Sequence, residues 1–166
     1  MEAGINVTDR KKAGEKEAET EEGGSLNEKE PEAALLADRL SGASLAYFGD
    51  AVYELYVRNW VLTHGSVRPE KLHKHTSAFV NAGAQSALAG LIESSLTEEE
   101  HAVYRRGRNA KTLTAAKNQS IGDYRRATGL EALIGWLFLK GEKSRIASLI
   151  ELNLPKLNAE SQPKPL

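Results

Sequence analysis

Two acidic residues stand out because each is set in an otherwise apolar stretch. In the segment LAYFGDAVYELYV, residues 45–57, the only charges are Asp50 and Glu54. Lying four positions apart, they share one face of a helix. Like charges at that spacing repel unless a cation or a basic group lies near them. Gly49, beside Asp50, leaves room for close approach of backbone or ligand, at some loss of helix propensity. In TGLEALIGWLFL, residues 128–139, Glu131 is the sole ionisable residue. An ionised carboxylate in such surroundings is costly without a partner. A divalent metal shared by Asp50 and Glu131 would compensate, and hard oxygen donors suit Mg²⁺. Taken singly, either acid reads first as one that emerges on a solvent face or pairs with an arginine, and only the two together bring the metal reading level. Pattern alone does not bring the two together.

A second constellation is basic. Residues 104–126, YRRGRNAKTLTAAKNQSIGDYRR, carry Arg105, Arg106, Arg108, Lys111, Lys117, Arg125 and Arg126 against one acid, Asp123. That is a local charge of +6 in a chain of net charge −1. Five of these seven bases are arginines, whose planar fork suits bidentate phosphate contact. Asn109 and Asn118 add short donors for backbone or 2′-hydroxyl groups. A solvated charge run is the plain alternative, but the arginine bias favours nucleic acid. The four histidines are less informative. His73 and His75 diverge on a helix and no His-Glu-x-x-His occurs, so they read as surface or packing residues. Trp60, Trp136, Phe48 and Phe138 read as core or dimer-interface residues.

The elements that must position these groups are helical. Between Pro31 and Pro155 the only proline is Pro69, at a place where a helix would begin. From Leu72, the positions Thr76, Phe79, Val80, Gly83, Ala84, Ala87, Leu88, Leu91 and Ile92 follow a helical stripe. Thr97 to Glu100 is a capping box, and Arg105-Arg106 followed by Gly107 gives that helix a stop signal. Further helices are expected at about 33–40, 44–63, 120–140 and 142–153, the last two separated by Gly141. There is no hairpin signal and no sustained period-2 alternation. The fold class is all-α.

The length of 166 residues fits one domain with tails. Residues 1–32 hold 10 acids and 5 bases and no aromatic residue, which reads as a disordered acidic tail. Residues 33–154 form the folded part and 155–166 a flexible C-terminal tail. Without cysteine there is no disulfide, thiolate zinc site or cysteine nucleophile. The longest nearly apolar run has 11 residues, Gly129 to Leu139, whereas a membrane span needs roughly 20. No secretory h-region precedes the folded part, so a cytoplasmic location is expected, with no membrane partner.

Together these segments carry a resemblance. LAYFGDAVYELYV resembles the signature helix of ribonuclease III catalytic domains, centred on Phe-Leu-Gly-Asp-Ala-Val. LEALIGWLFL, residues 130–139, resembles that fold's second acidic helix. YRRGRNAK, with Lys117-Asn118 and Tyr124-Arg125, is similar to the Mini-ribonuclease III branch. The resemblance spans about residues 42–153. It implies a helical, homodimeric endonuclease domain that cleaves double-stranded RNA with Mg²⁺, and no action on DNA. Asp50 and Glu131 match the family's metal-binding catalytic acids. Two further family acids are replaced, by Ala46 and Thr128, as in the Mini branch. The resemblance places RNA contact at Arg105, Arg106, Arg108, Asn109, Lys111, Lys117, Asn118 and Arg125. It further implies maturation of a large-subunit (23S) ribosomal RNA precursor, conceivably with a ribosomal protein. With 13 residues after position 153, no double-stranded RNA-binding domain is expected there. The competing expectation is a helical RNA-binding or ribosome-associated module that has lost cleavage.

Overall fold

The computed structural model describes residues 30–64, 68–111 and 120–160. All regular elements among them are helices: α1 (Glu30–Arg39), α2 (Gly42–His64), α3 (Pro69–Phe79), α4 (Ala82–Ile92), α5 (Glu98–Arg108), α6 (Ile121–Leu139), α7 (Lys143–Glu151) and α8 (Leu154–Glu160), with a 3₁₀ turn at Glu93–Ser95. The all-α expectation holds. Lys117 and Asn118 lie outside the described residues.

α6 is the central post. From Ala127 to Leu137 every residue but Glu131 is buried, as a helix that is apolar all round requires. α2, α4 and α5 pack around it, and α1 and α7 touch it. The contact with α2 is made by backbone. A Cβ on Gly49 would fall on the Glu131 carbonyl oxygen, and one on Gly135 would fall on the Leu45 carbonyl oxygen. The approach foreseen at Gly49 is therefore an approach of helix to helix. α5 seats itself similarly through Gly107, whose missing side chain accommodates the Thr128 carbonyl and the Ala132 methyl.

Polar ties hold the outer helices. Asp38 of α1 accepts from Trp136 Nε1 at 2.9 Å and from Lys140 Nζ at 2.7 Å, and these bonds lower its pKa. On α5, Glu100 is buried and accepts from Arg145 of α7 at 2.8 and 2.9 Å. The same carboxylate closes the Thr97 capping box, accepting from the Thr97 amide at 2.8 Å. After α6, Gly141 takes a φ of 79°, and the Gly141 and Glu142 amides donate back to Phe138 and Leu137 carbonyls. That Schellman closure ends the helix where the sequence put its separator.

Three expectations need correction. The stripe from Leu72 to Ile92 is not one helix. It breaks after Val80, and Asn81 caps α4 by accepting from the Ala84 amide at 3.0 Å. The break rotates the buried face to Gln85, Ser86, Leu88, Ala89 and Ile92, leaving Gly83 and Ala87 exposed. Gly107 is not a stop signal: α5 runs through it to Arg108, and the glycine serves the contact with α6. Packing also continues past residue 154, because Leu157 of α8 is buried where a flexible tail was expected.

The glycine contacts predict a contrast. Gly49→Ala should destabilise the protein by about 3 kcal/mol or more, since backbone rather than a pliable side chain must move. Gly90→Ala, on the open face of α4 with nothing within 4 Å, should stabilise by roughly 0.5–1 kcal/mol. Urea midpoints of the two variants check this. A wild-type midpoint for Gly49→Ala would refute the close contact.

Candidate active site

The Gly49 contact decides where the acids meet. Because Gly49 rests on the Glu131 backbone, the next residue on α2, Asp50, stands beside Glu131 on α6. Both line one open hollow of about 540 Å³, with Ala43, Ala46, Tyr47, Phe48, Ala51, Tyr124 and Thr128. Its remaining walls are mostly apolar or small. Ala46 and Thr128 are buried there, and Thr128 spends its hydroxyl on the Tyr124 carbonyl at 3.0 Å. No cluster of three or more ligating side chains occurs among the described residues.

The two carboxyls are strained electrostatically rather than sterically. Burial, with the Asp50 charge added, pushes the Glu131 carboxyl up to about 7. Burial and the neighbouring Glu54 raise Asp50, although Asp50 is the more exposed of the pair. Each acid of the hollow thus has another acid as its charged neighbour. Glu54, one turn beyond Asp50, is turned to an ion pair with Arg58. Two neighbouring carboxyls with no base in their charge environment among the described residues are an arrangement that a small divalent cation relieves. Two hard oxygen donors fit Mg²⁺, which binds through few protein groups and keeps several waters.

The third polar group at the site was missed by sequence reasoning. Gln85 of α4 is buried and donates from Nε2 to Glu131 Oε1 at 3.0 Å. Gln85 is the one long polar side chain in the uncharged run Ala82–Ile92, and that isolation was the available signal.

The described basic residues have different neighbours. Arg106 turns to α1 and donates to the Asp38 carbonyl at 3.3 Å. Arg105 lines a separate shallow depression with Glu98 and His101. Arg108 and Arg126 both lie near Tyr104, where their charges oppose the rise that burial imposes on its phenol. Arg108 follows Gly107, which packs on Thr128 of the hollow, and Arg125 follows Tyr124, which lines it. Asn109 caps the end of α5 and Lys111 is exposed beyond it. Asp123, the acid of the stretch, accepts from Ser86 and Ser120 at 2.7 and 2.6 Å. The aromatic residues behave as packing groups: Phe48 meets Phe138 edge-on, and Trp60 stacks on His64 and meets Phe79 edge-on.

The raised carboxyl has a consequence for stability. Glu131 binds a proton up to about pH 7 in the folded chain but only up to about 4.5 unfolded. Its contribution to stability is therefore full below pH 4.5 and lost as pH rises through 7. In metal-free buffer, Glu131→Gln should remove roughly 2–3 kcal/mol of that decline. Denaturant unfolding of both proteins at pH 5 and pH 8 measures it. Parallel curves would show that Glu131 titrates normally.

Comparison with known proteins agrees with this geometry. The ribonuclease III domain family matches residues 43–142, a span containing both acids. A Mini-ribonuclease 3 of Enterococcus faecalis is 43% identical over 126 residues, covering 75% of this chain and 96% of that protein. One from Clostridium tetani is 45% identical over 119 residues, covering 71% of this chain and 79% of its own. A crystal structure of a Fusobacterium nucleatum protein superposes with a TM-score of 0.62 at 34% identity, covering 70% of this chain and 93% of that one. A domain match running through both helices of the hollow, and relatives aligned along most of their own length, place this chain in the ribonuclease III family, in its Mini-ribonuclease 3 branch.

Proposed function

We propose that this endoribonuclease cuts double-stranded RNA at the hollow between α2 and α6, with Asp50 and Glu131 as its catalytic and metal-binding residues. The observation that carries the reading is the convergence of these two acids on one open hollow, each without a base in its immediate charge environment among the described residues. Asp50 and Glu131 would hold Mg²⁺, which would acidify a water and stabilise charge on the scissile phosphate. The chain's own residues do the rest. Ala46 and Thr128 close one wall without adding charge, so the site offers few protein ligands. Attack by water in line with the phosphorus–O3′ bond breaks that bond and leaves 5′-phosphate and 3′-hydroxyl ends.

The duplex is held by its backbone. Arg108, Asn109 and Lys111 at the end of α5 and Arg125 on α6 approach phosphates beside the hollow, and Arg105 extends the positive surface along α5. Lys117 and Asn118 complete the contact set. Recognition of this kind reads A-form shape more than sequence. The substrate is the large-subunit (23S) ribosomal RNA precursor, with a ribosomal protein as a possible companion on it.

The working unit in this reading is a homodimer formed along α2. Tyr47, Leu55 and Leu62 are 86%, 60% and 57% exposed. Tyr47, Ala51 and Leu55, four positions apart, share one apolar face of α2 beside Asp50, and Leu62 lies farther along that face past the exposed Arg58. Exposed large apolar groups on one face mark an interaction surface. Two copies meeting there bring their hollows to one duplex, one for each strand.

Two outcomes test the proposal. Asp50→Asn and Glu131→Gln should each lower Mg²⁺-dependent cleavage of a structured duplex at least about 10³-fold, with the helical circular dichroism of the wild type. Wild-type cutting by either variant would falsify the site. Neutralising Arg105 and Arg108 together should weaken duplex binding and flatten its logarithmic salt dependence by about one unit for each charge removed. An unchanged slope takes α5 out of the RNA interface.

A further inference from the structure

The acids of α6 are braced from behind by α4. Gln85, only 2% exposed, donates from Nε2 to Glu131 Oε1 at 3.0 Å. The next residue, Ser86, is 3% exposed and donates to Asp123 Oδ1 at 2.7 Å. Two consecutive polar residues on a helix without charges therefore meet two acids of α6, and of these acids only Glu131 lines the hollow. Ser86 has a structural account, since Asp123 and Ser120 form the N-terminal cap of α6. Gln85 has none of that kind: it is spent on the carboxylate that faces the site.

We infer that Gln85 is a positioning residue that fixes one oxygen of the Glu131 carboxylate and leaves the other to engage a divalent cation. The inference rests on the metal reading proposed above. The amide does this because of what it is. A lysine or arginine at this place would neutralise Glu131 and cancel the charge a cation needs. A leucine would leave Oε1 without a donor in a largely buried setting. An acid would add a further repulsion. A neutral donor orients the carboxylate and leaves its charge for the ion, the usual duty of a hydrogen-bond partner behind a metal-binding oxygen. The bond links positions 46 apart in sequence, so the docking of α4 on α6 sets the carboxylate's orientation.

Mg²⁺ titrations of thermal unfolding, without RNA, test this on the full chain. Wild type should be stabilised saturably, and Glu131→Gln should not respond. Gln85→Leu should shift the Mg²⁺ midpoint upward by about 10–100-fold. Gln85→Lys, its ammonium paired with Glu131, should stay folded and lose the response because the carboxylate's charge is neutralised. In cleavage assays Gln85→Leu should lose kcat at low Mg²⁺ and recover it at high Mg²⁺, with KM for duplex RNA unchanged. A purely structural role lowers stability at every Mg²⁺ concentration and keeps the wild-type midpoint, and that result overturns the inference. Should Gln85→Leu not fold, a wild-type midpoint in Gln85→Lys overturns it equally. A wild type indifferent to Mg²⁺ sinks the metal assignment itself, which is a different result from a responsive wild type with unchanged Gln85 variants.

Discussion

The contact of α2 with α6 governs this molecule. Where two helices ordinarily keep side chains between them, here Gly49 and Gly135 let backbone meet backbone, each glycine facing a carbonyl of the other helix. Close axes mean that residues next to the contact are close as well. Asp50 is such a residue, and its partner across the contact is Glu131. Any side chain at position 49 forces the helices apart and carries the acids with them. The same economy recurs at Gly107, which lets the arginine-bearing end of α5 sit on Thr128 beside the hollow.

That closeness has an electrostatic cost which the rest of the site accommodates without cancelling. Burial and mutual repulsion both oppose ionisation, and Glu131 bears most of the effect. A protein built only for stability would place a base between such acids, as it does at Glu100 with Arg145 and at Glu54 with Arg58. At the hollow the chain uses a neutral amide instead. Glu100 thereby ties α5 to α7, whereas Glu131 keeps its charge uncancelled at the hollow.

Much of this was legible in the residues. Each long helix appeared in the pattern, because residues 127–139 of α6 are apolar or small except at Glu131 and residues 45–57 of α2 carry no charge except at Asp50 and Glu54. The capping box at Thr97 was readable because its two hydrogen bonds lie within four residues. The break at Asn81 was harder: apolar and small residues continue through Val80 and Ala82, so periodicity runs on while the helix stops. Gly107 misled for a related reason. A glycine after two arginines has the look of a helix end, and only the proximity of α6 reveals that it is a contact surface.

The sequence by itself determined the local matters: which segments coil, which acids lack nearby bases, and where positive charge accumulates, since all of these depend on neighbours within a few positions. The tertiary structure decided whether Asp50 and Glu131, 81 positions apart, share a hollow, and which oxygen of Glu131 is already taken. It also divided the arginines, turning Arg106 to α1 and setting Arg108 beside Arg126. Spacing fixes the face of a helix on which a residue stands. What that face meets depends on how closely the helices approach, and in this protein two glycines without side chains set the distance.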